Sequence, residues 1–330
     1  MPAPGAGMSR LLEVEDLNVW FDLDGGRELH AVQGVSFELD PGERLGLVGE
    51  SGCGKTTTVL GLLGLLPPSA SVSGRVLLNG VDIVAGGEET IRPHRWIDIA
   101  IVFQGAMNAL NPVKTVGSQI VEVLELHGLA EGRQARKRTG ELLESVGIPR
   151  DRAERFPHEF SGGMRQRAAI AMALACNPGI LVADEPTTAL DVMVQAQILE
   201  LLDALCRDFG LALLLVTHDL PVVAELCDRA AVMYAGEIVE HGPVDALYHD
   251  PRHPYTRLLF AATPDLYGEG VPASIPGAPP RLDVPLTGCP FHSRCDRVFA
   301  RCLDERPLLR GLEGARSAAC HLNDVAAEVR

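Results

Sequence analysis

The 330 residues exceed one average domain of roughly 150 and leave room for two folded units. With 46% hydrophobic and 22% charged residues the chain can bury a sizeable core, which excludes extensive disorder. A formal net charge of -15 removes the overall positive field a polyanion would need, so no nucleic acid is expected as partner.

No run reaches the ~18 to 20 apolar residues of a bilayer-spanning helix, because Pro, Gly or charge interrupts each one. Residues 1–10 show no basic-then-apolar signal pattern, so the protein is expected on the cytoplasmic side of any membrane.

In chain order, residues 11–19, 34–39 and 75–83 alternate or run apolar between turn residues, which predicts at least three strands of a small antiparallel sheet. From Arg44 the pattern becomes a short buried strand, a Gly-rich turn and a Leu-rich helix from Lys55 to about Leu66. The turn reads Gly49-Glu50-Ser51-Gly52-Cys53-Gly54-Lys55-Thr56, the spacing of a phosphate-binding loop. Its glycines let successive backbone N–H groups wrap phosphate oxygens at a helix N-terminus. Lys55 then reaches the β- and γ-phosphates of ATP and Thr56 ligates Mg²⁺, with Thr57 beside it among the nucleotide contacts and Cys53 as inert filler.

Residues 97–103, 180–183, 211–217 and 230–234 are further short apolar runs separated by helical stretches, the pattern of a largely parallel sheet. The run Ile180-Leu181-Val182-Ala183 ends in Asp184-Glu185; paired with a phosphate loop, the first acid supports Mg²⁺ and the second poises water. Residues 116–147 are polar and amphipathic at helical spacing, which predicts a helical subdomain inserted over about 105–165. After about 242, eight prolines from Pro251 to Pro285 punctuate a segment with little periodicity. The expected division is therefore one nucleotide-binding unit over 1–242, without internal repeat, and an accessory tail over 243–330.

At Phe160-Ser161-Gly162-Gly163-Met164-Arg165-Gln166 the chain resembles the ATPase subunits of ABC transporters. The likeness runs over about residues 11–243 and includes Gln104 after Ile101-Val102-Phe103, the turn Thr188-Ala189-Leu190-Asp191, and His218 after Leu213-Leu214-Leu215-Val216-Thr217. It implies an α/β fold of the P-loop NTPase, ABC-ATPase type: a RecA-like core with an antiparallel β subdomain and an inserted helical subdomain, here followed by the Cys-rich tail. It implies that Gln104 touches Mg²⁺ and the attacking water, that His218 contacts the γ-phosphate, and that Lys55 and Glu185 complete the catalytic set, with Asp191 near the nucleotide. Ser161, Gly162 and Gly163 are implied to close on nucleotide held by a second subunit. A helix start preceded by Ser-Gly-Gly offers free N–H groups for this, and Ser161 also serves as N-cap. Phe21, in preference to Trp20, occupies the position of the aromatic that stacks on adenine. Phe160 and Met164 stand where Leu and Gln are usual, and Gly105-Ala106 replace a common Asp-Pro.

Within that family, Val48-Gly49-Glu50-Ser51-Gly52, Ala109-Leu110-Asn111-Pro112 and His253-Pro254-Tyr255-Thr256-Arg257 look like the ATPases of oligopeptide, dipeptide and nickel importers. The likeness implies a peripheral motor on the cytoplasmic membrane face. Its partners would be a second ATPase (a paralogue or a second copy), two permeases and, through them, an extracytoplasmic solute-binding protein. Cargo is not encoded in this chain, so nickel or another small solute stays beside peptides. A soluble ABC ATPase is disfavoured, since neither a tandem cassette nor a long coiled-coil insertion is present. In the tail, Cys289, Cys295, Cys302 and Cys320 are spaced for a 4Fe-4S cluster, with tetrahedral Zn²⁺ or free thiols as alternatives. His292 and His321 lie beside these positions.

Overall fold

The structure, a computed structural model, describes residues 10–106, 109–262, 274–284 and 286–327. The first half contains β1 (Leu12–Leu23), β2 (Arg27–Leu39), β3 (Arg44–Val48), α1 (Lys55–Leu62), β4 (Ala70–Leu78), β5 (Val81–Asp82), α2 (Gly87–Ile91), β6 (Ile99–Val102), α3 (Val116–Leu126), α4 (Gly132–Ser145) and α5 (Gly162–Ala173). The second adds β7 (Ile180–Asp184), α6 (Val192–Phe209), β8 (Ala212–Thr217), α7 (Leu220–Leu226), β9 (Arg229–Tyr234), β10 (Glu237–Pro243), α8 (Val244–His249), α9 (Pro254–Ala261), β11 (Arg310–Leu312) and β12 (Arg316–Ala318).

Two sheets organise these elements. The smaller is antiparallel, in the order β2-β1-β4-β5. In β1 the buried positions Leu12 and Val14 give way to Leu17 and Val19, a change of phase that alternation alone forbids. A bulge supplies the extra residue: the register shifts between Val14 and Leu17, and Asp16 adopts φ 50°. Gly74 lies against it, where a Cβ would come within 2.4 Å of the Asp16 carbonyl oxygen.

The larger sheet runs β11-β12-β10-β9-β3-β8-β7-β6. Its last five strands in that order, β9 to β6, are mutually parallel. Every residue of β7 and β8 is buried, which is why they read as unbroken apolar runs rather than alternating ones. Their side chains divide between two cores: Leu181, Ala183, Leu213 and Leu215 pack with the helical half, and Ile180, Val182, Leu214 and Val216 with the antiparallel sheet. Truncating any of these leucines to Ala should cost about 2–5 kcal/mol.

The helix expected to reach about Leu66 stops at Leu62. Gly64 takes φ 61°, its N–H bonds to the Gly61 carbonyl, and the Leu65 N–H bonds back to Leu60, which together make a Schellman ending. The segment that reads as a tail is also more integrated than its prolines indicate. β12 pairs with β10 and β11 with β12, so this segment extends the main sheet. Cys289, Phe291 and Cys302 belong to the same core as Leu213 and Leu215.

Candidate nucleotide site

The site lies where β3, β7 and β8 end, at the carboxyl edge of the parallel strands, where open α/β sheets bind ligands. After β3 the chain must turn within a few residues into α1, and three loop glycines adopt positive φ: Gly49 at 153°, Gly52 at 80° and Gly54 at 107°. At Gly49 a Cβ would stand 2.3 Å from the Met233 carbonyl oxygen, and at Gly54 2.7 Å from that of Ala31, so no larger residue fits at either. Lys55 is buried and its Nζ donates to the carbonyls of Gly49 at 2.7 Å and Glu50 at 3.0 Å, which draws the loop around the ammonium. Burial pushes the Cys53 thiol up, in keeping with an inert loop side chain.

Thr56 follows Lys55, and its hydroxyl donates to Oδ1 of Asp184 at 3.3 Å, joining the start of α1 to the end of β7. Asp184 is almost fully buried, and this desolvation, with the charge of Glu185 beside it, raises its pKa against the lowering by Thr56 and Lys55. A hydroxyl beside a buried carboxylate is a hard-oxygen pair of the kind Mg²⁺ prefers, so the residues present fit that ion.

Glu185 sits one residue beyond the strand at φ 45°, a left-handed conformation that costs a non-glycine residue roughly 1–2 kcal/mol, with its N–H held by the Val216 carbonyl at 2.8 Å. Three groups converge on its carboxylate. Gln104 Nε2 donates to Oε2 at 2.7 Å, the Thr188 hydroxyl donates to Oε2 at 2.9 Å, and His218 Nδ1 lies 3.0 Å from Oε1. Burial alone would raise this carboxyl, but hydrogen bonds from His218 and Thr188 and the charges of His218 and Lys55 hold it below the usual glutamate range. The structure thus gathers Lys55, Thr56, Asp184, Glu185, Gln104 and His218 into one constellation. Thr188 is an addition that sequence reasoning passed over, although it begins the turn already singled out.

The remaining predicted residues take no part in these contacts. Ser161 caps α5, its hydroxyl accepting from the Met164 N–H at 3.3 Å, with Gly162 and Gly163 in the first turn. Among the described residues no hydrogen bond joins these three to residues 49–56. A Cβ on Gly163 would meet Val194 Cγ1 at 2.6 Å, so this glycine lets α5 approach α6. Asp191 caps α6 by accepting from the Val194 N–H at 3.0 Å. Ser51 and Thr57 lie on the loop and in α1. Phe21 is half-buried against the core beneath the antiparallel sheet, while Trp20 stacks on His30 with ring centroids 4.6 Å apart.

The profile described as "ABC transporter" matches residues 32–188, and that described as "Oligopeptide/dipeptide transporter, C-terminal region" matches residues 239–302. The oligopeptide transport ATP-binding protein OppD of Bacillus subtilis is 49% identical over 306 residues, 91% of this chain and 85% of that protein. The dipeptide transport ATP-binding protein DppD of the same organism is 45% identical over 326 residues, 97% of each chain. The chain belongs to the ABC transporter ATP-binding subunits, in the oligopeptide/dipeptide branch. Among solved structures, the ATP-binding cassette MJ0796, a post-hydrolysis dimer bound to ADP and Pi, superposes with a TM-score of 0.63 at 29% identity, covering 71% of this chain and 98% of that one. An ABC ATPase with the P-loop fold thus accounts for the nucleotide site.

The branch-specific segment has its own geometry. His253 caps α9 through Nδ1, which accepts the Tyr255 N–H at 3.0 Å, and complete burial lowers its pKa to about 3, so the ring stays neutral. Cys289, Cys295, Cys302 and Cys320 line one small pocket with His253, His292 and His321. All four cysteines are free of disulfides. Burial and then the neighbouring thiols push Cys289 up to about 12 and Cys320 up to about 11. Among the described residues, no group of three or more His, Cys, Asp or Glu is placed to hold a metal ion. The sequence expectation of a 4Fe-4S or Zn²⁺ centre is therefore not supported by the geometry: the four thiols share a pocket without forming a metal-binding group among the described residues.

Proposed function

We propose that this ATPase is the motor of a peptide importer, coupling ATP binding and hydrolysis at the β3–β7 edge to movement of membrane permeases. The convergence of Gln104, Thr188 and His218 on Glu185 carries the catalytic part of this reading. A carboxylate held ionised beside an imidazole can take the proton of an attacking water, while Lys55 balances charge on the β- and γ-phosphates. Thr56, Asp184 and Gln104 would hold Mg²⁺, which supplies electrostatic stabilisation of the transferring phosphoryl group. The N-terminus of α5, with Ser161 and Gly163, then serves nucleotide bound to a second ATPase, a paralogue or another copy. Phe21 serves as the adenine platform.

An apolar groove of about 300 Å³, lined by Leu65, Trp96, Phe103, Ala106 and Met172 beside Gln104, supports the permease contact. Phe103 is 40% exposed there, directly before the residue that touches Glu185. A permease segment seated in the groove would feel the state of the nucleotide through that neighbour. We assign Cys289, Cys295, Cys302 and Cys320, which line one small pocket, as ligands of a structural 4Fe-4S centre, with Zn²⁺ as the lesser reading.

Purifying the chain from membranes tests the function. Two permeases and a second ATPase should co-purify, and peptide delivered by a solute-binding protein should stimulate phosphate release. Recovery without membrane subunits, or stimulation only by nickel, would overturn the peptide-importer reading.

A further inference from the structure

Glu50 places a carboxylate inside a loop built to receive phosphates. Left free, that charge would repel the nucleotide. It is instead neutralised from 244 residues away: Arg294 donates from Nη1 to Oε2 of Glu50 at 2.6 Å and from Nη2 to Oε1 at 2.9 Å, a bidentate pair. The guanidinium is itself fixed. Its side chain is only 2% exposed, Nε donates to the Pro276 carbonyl at 2.8 Å, and the group lies 5.7 Å from the centre of the Tyr234 ring and 6.0 Å from that of Phe291.

The backbone of Glu50 is held with equal care. Its N–H donates to the Tyr255 hydroxyl at 2.9 Å, and its carbonyl accepts from Lys55 Nζ at 3.0 Å and the Cys53 N–H at 3.3 Å. Tyr234, Tyr255 and Phe291 pack as one aromatic cluster with centroids 4.6 to 5.4 Å apart, so Arg294 and Tyr255 reach the loop from a common base. We propose that Arg294 is a positioning residue for nucleotide binding, acting through Glu50, so that the segment after β10 completes the phosphate loop. The proposal rests on residues 49–56 holding the nucleotide.

The test measures equilibrium binding of a fluorescent ATP analogue, and KM and kcat for ATP, in the full chain. Arg294→Met should weaken binding about tenfold, equivalent to about 1.4 kcal/mol, and raise KM with kcat changed less. Arg294→Lys, which keeps the charge but loses the fork, should fall between, about threefold weaker. Glu50→Gln combined with Arg294→Met removes both charges and should recover most of the affinity. Wild-type affinity in Arg294→Met, or a double variant weaker than Arg294→Met, overturns the proposal. If Arg294→Met lacks the wild-type circular dichroism, Arg294→Lys decides, and wild-type affinity there overturns it equally. Lys55→Ala is the separate control: unchanged binding in that variant would remove the loop itself from the nucleotide site, and the proposal with it.

Discussion

Gln104 Nε2 donates to Oε2 of Glu185 at 2.7 Å, joining the segment after β6 to the end of β7 across 81 positions of sequence. The residue beside the apolar groove thus touches the candidate base directly. Glu185→Gln should keep ATP binding while phosphate release falls by about 10² to 10⁴, because an amide cannot accept the proton of water. Phosphate release near the wild-type rate in the assembled complex would exclude Glu185 as the base.

Asp184 and Glu185 are adjacent, yet their carboxyls are shifted in opposite directions. A carboxyl whose folded pKa is raised, as burial raises Asp184, destabilises the fold above that pKa, and the cost fades as pH falls through it. Asp184→Asn should therefore raise the thermal midpoint at pH 7 in nucleotide-free protein while raising the Mg²⁺ concentration that ATP binding needs. The same shift makes protons compete with Mg²⁺ at pH values above the ordinary aspartate pKa of about 3.9. Half-saturating Mg²⁺ should rise as pH falls toward that range; a pH-independent value, or a lowered midpoint in Asp184→Asn, would contradict this.

Because no hydrogen bond among the described residues joins Ser161 or Gly163 to residues 49–56, and both are proposed to act on nucleotide held by a second ATPase, hydrolysis by the isolated protein should be slow and steeply dependent on protein concentration. Specific activity measured over a hundredfold dilution series checks it. A monomer by sedimentation that retains full activity would rule out action across a dimer interface. Ser161→Ala should also cost about 1 kcal/mol through loss of the helix cap alone, so its activity must be read at matched folded fraction.

Prepared without oxygen, the protein should be brown, with about four irons per chain and broad absorbance near roughly 400 nm from sulfur-to-iron charge transfer. Replacing any one of Cys289, Cys295, Cys302 and Cys320 by Ser should bleach the colour and open the segment to protease. A colourless preparation with one zinc per chain would replace the cluster by Zn²⁺ and keep a metal centre ordering the segment. Protein free of metal would remove both.

Much of the strand edge that gathers Lys55, Thr56, Asp184 and Glu185 is legible in the sequence because its pattern is local. The spacing from Gly49 to Thr56, the apolar run ending in Asp184-Glu185, and the parallel strands around them each need only neighbours in sequence to be recognised. What escapes it depends on where the fold brings side chains together, whatever their separation in sequence. No periodicity announces that Arg294 meets Glu50, that Tyr255 of the His253-Pro254-Tyr255 stretch holds the Glu50 N–H, or that Thr188 reaches Glu185 by curling back three residues. The short α1 was missed for a different reason: Leu60 to Leu66 is apolar throughout, and only the left-handed Gly64 within it ends the helix. β11 and β12, three residues each, are too short to carry an alternation, and their pairing with β10 makes them strands.

That pairing gives the segment after β10 a second duty. β10 would otherwise be the outermost strand of the main sheet, with a row of unsatisfied main-chain N–H and C=O groups facing water. Such an edge is a template on which another chain can add a strand. β12 covers it through Glu240 and His241, while Glu240, fully buried, accepts the N–H groups of Arg252 at 2.7 Å and His253 at 2.8 Å. A fragment ending at Pro243 would lose these partners together. It would present an exposed strand border beside a carboxylate stripped of its N–H partners, and self-association would add to the loss of ATP affinity in limiting its use as a free-standing ATPase.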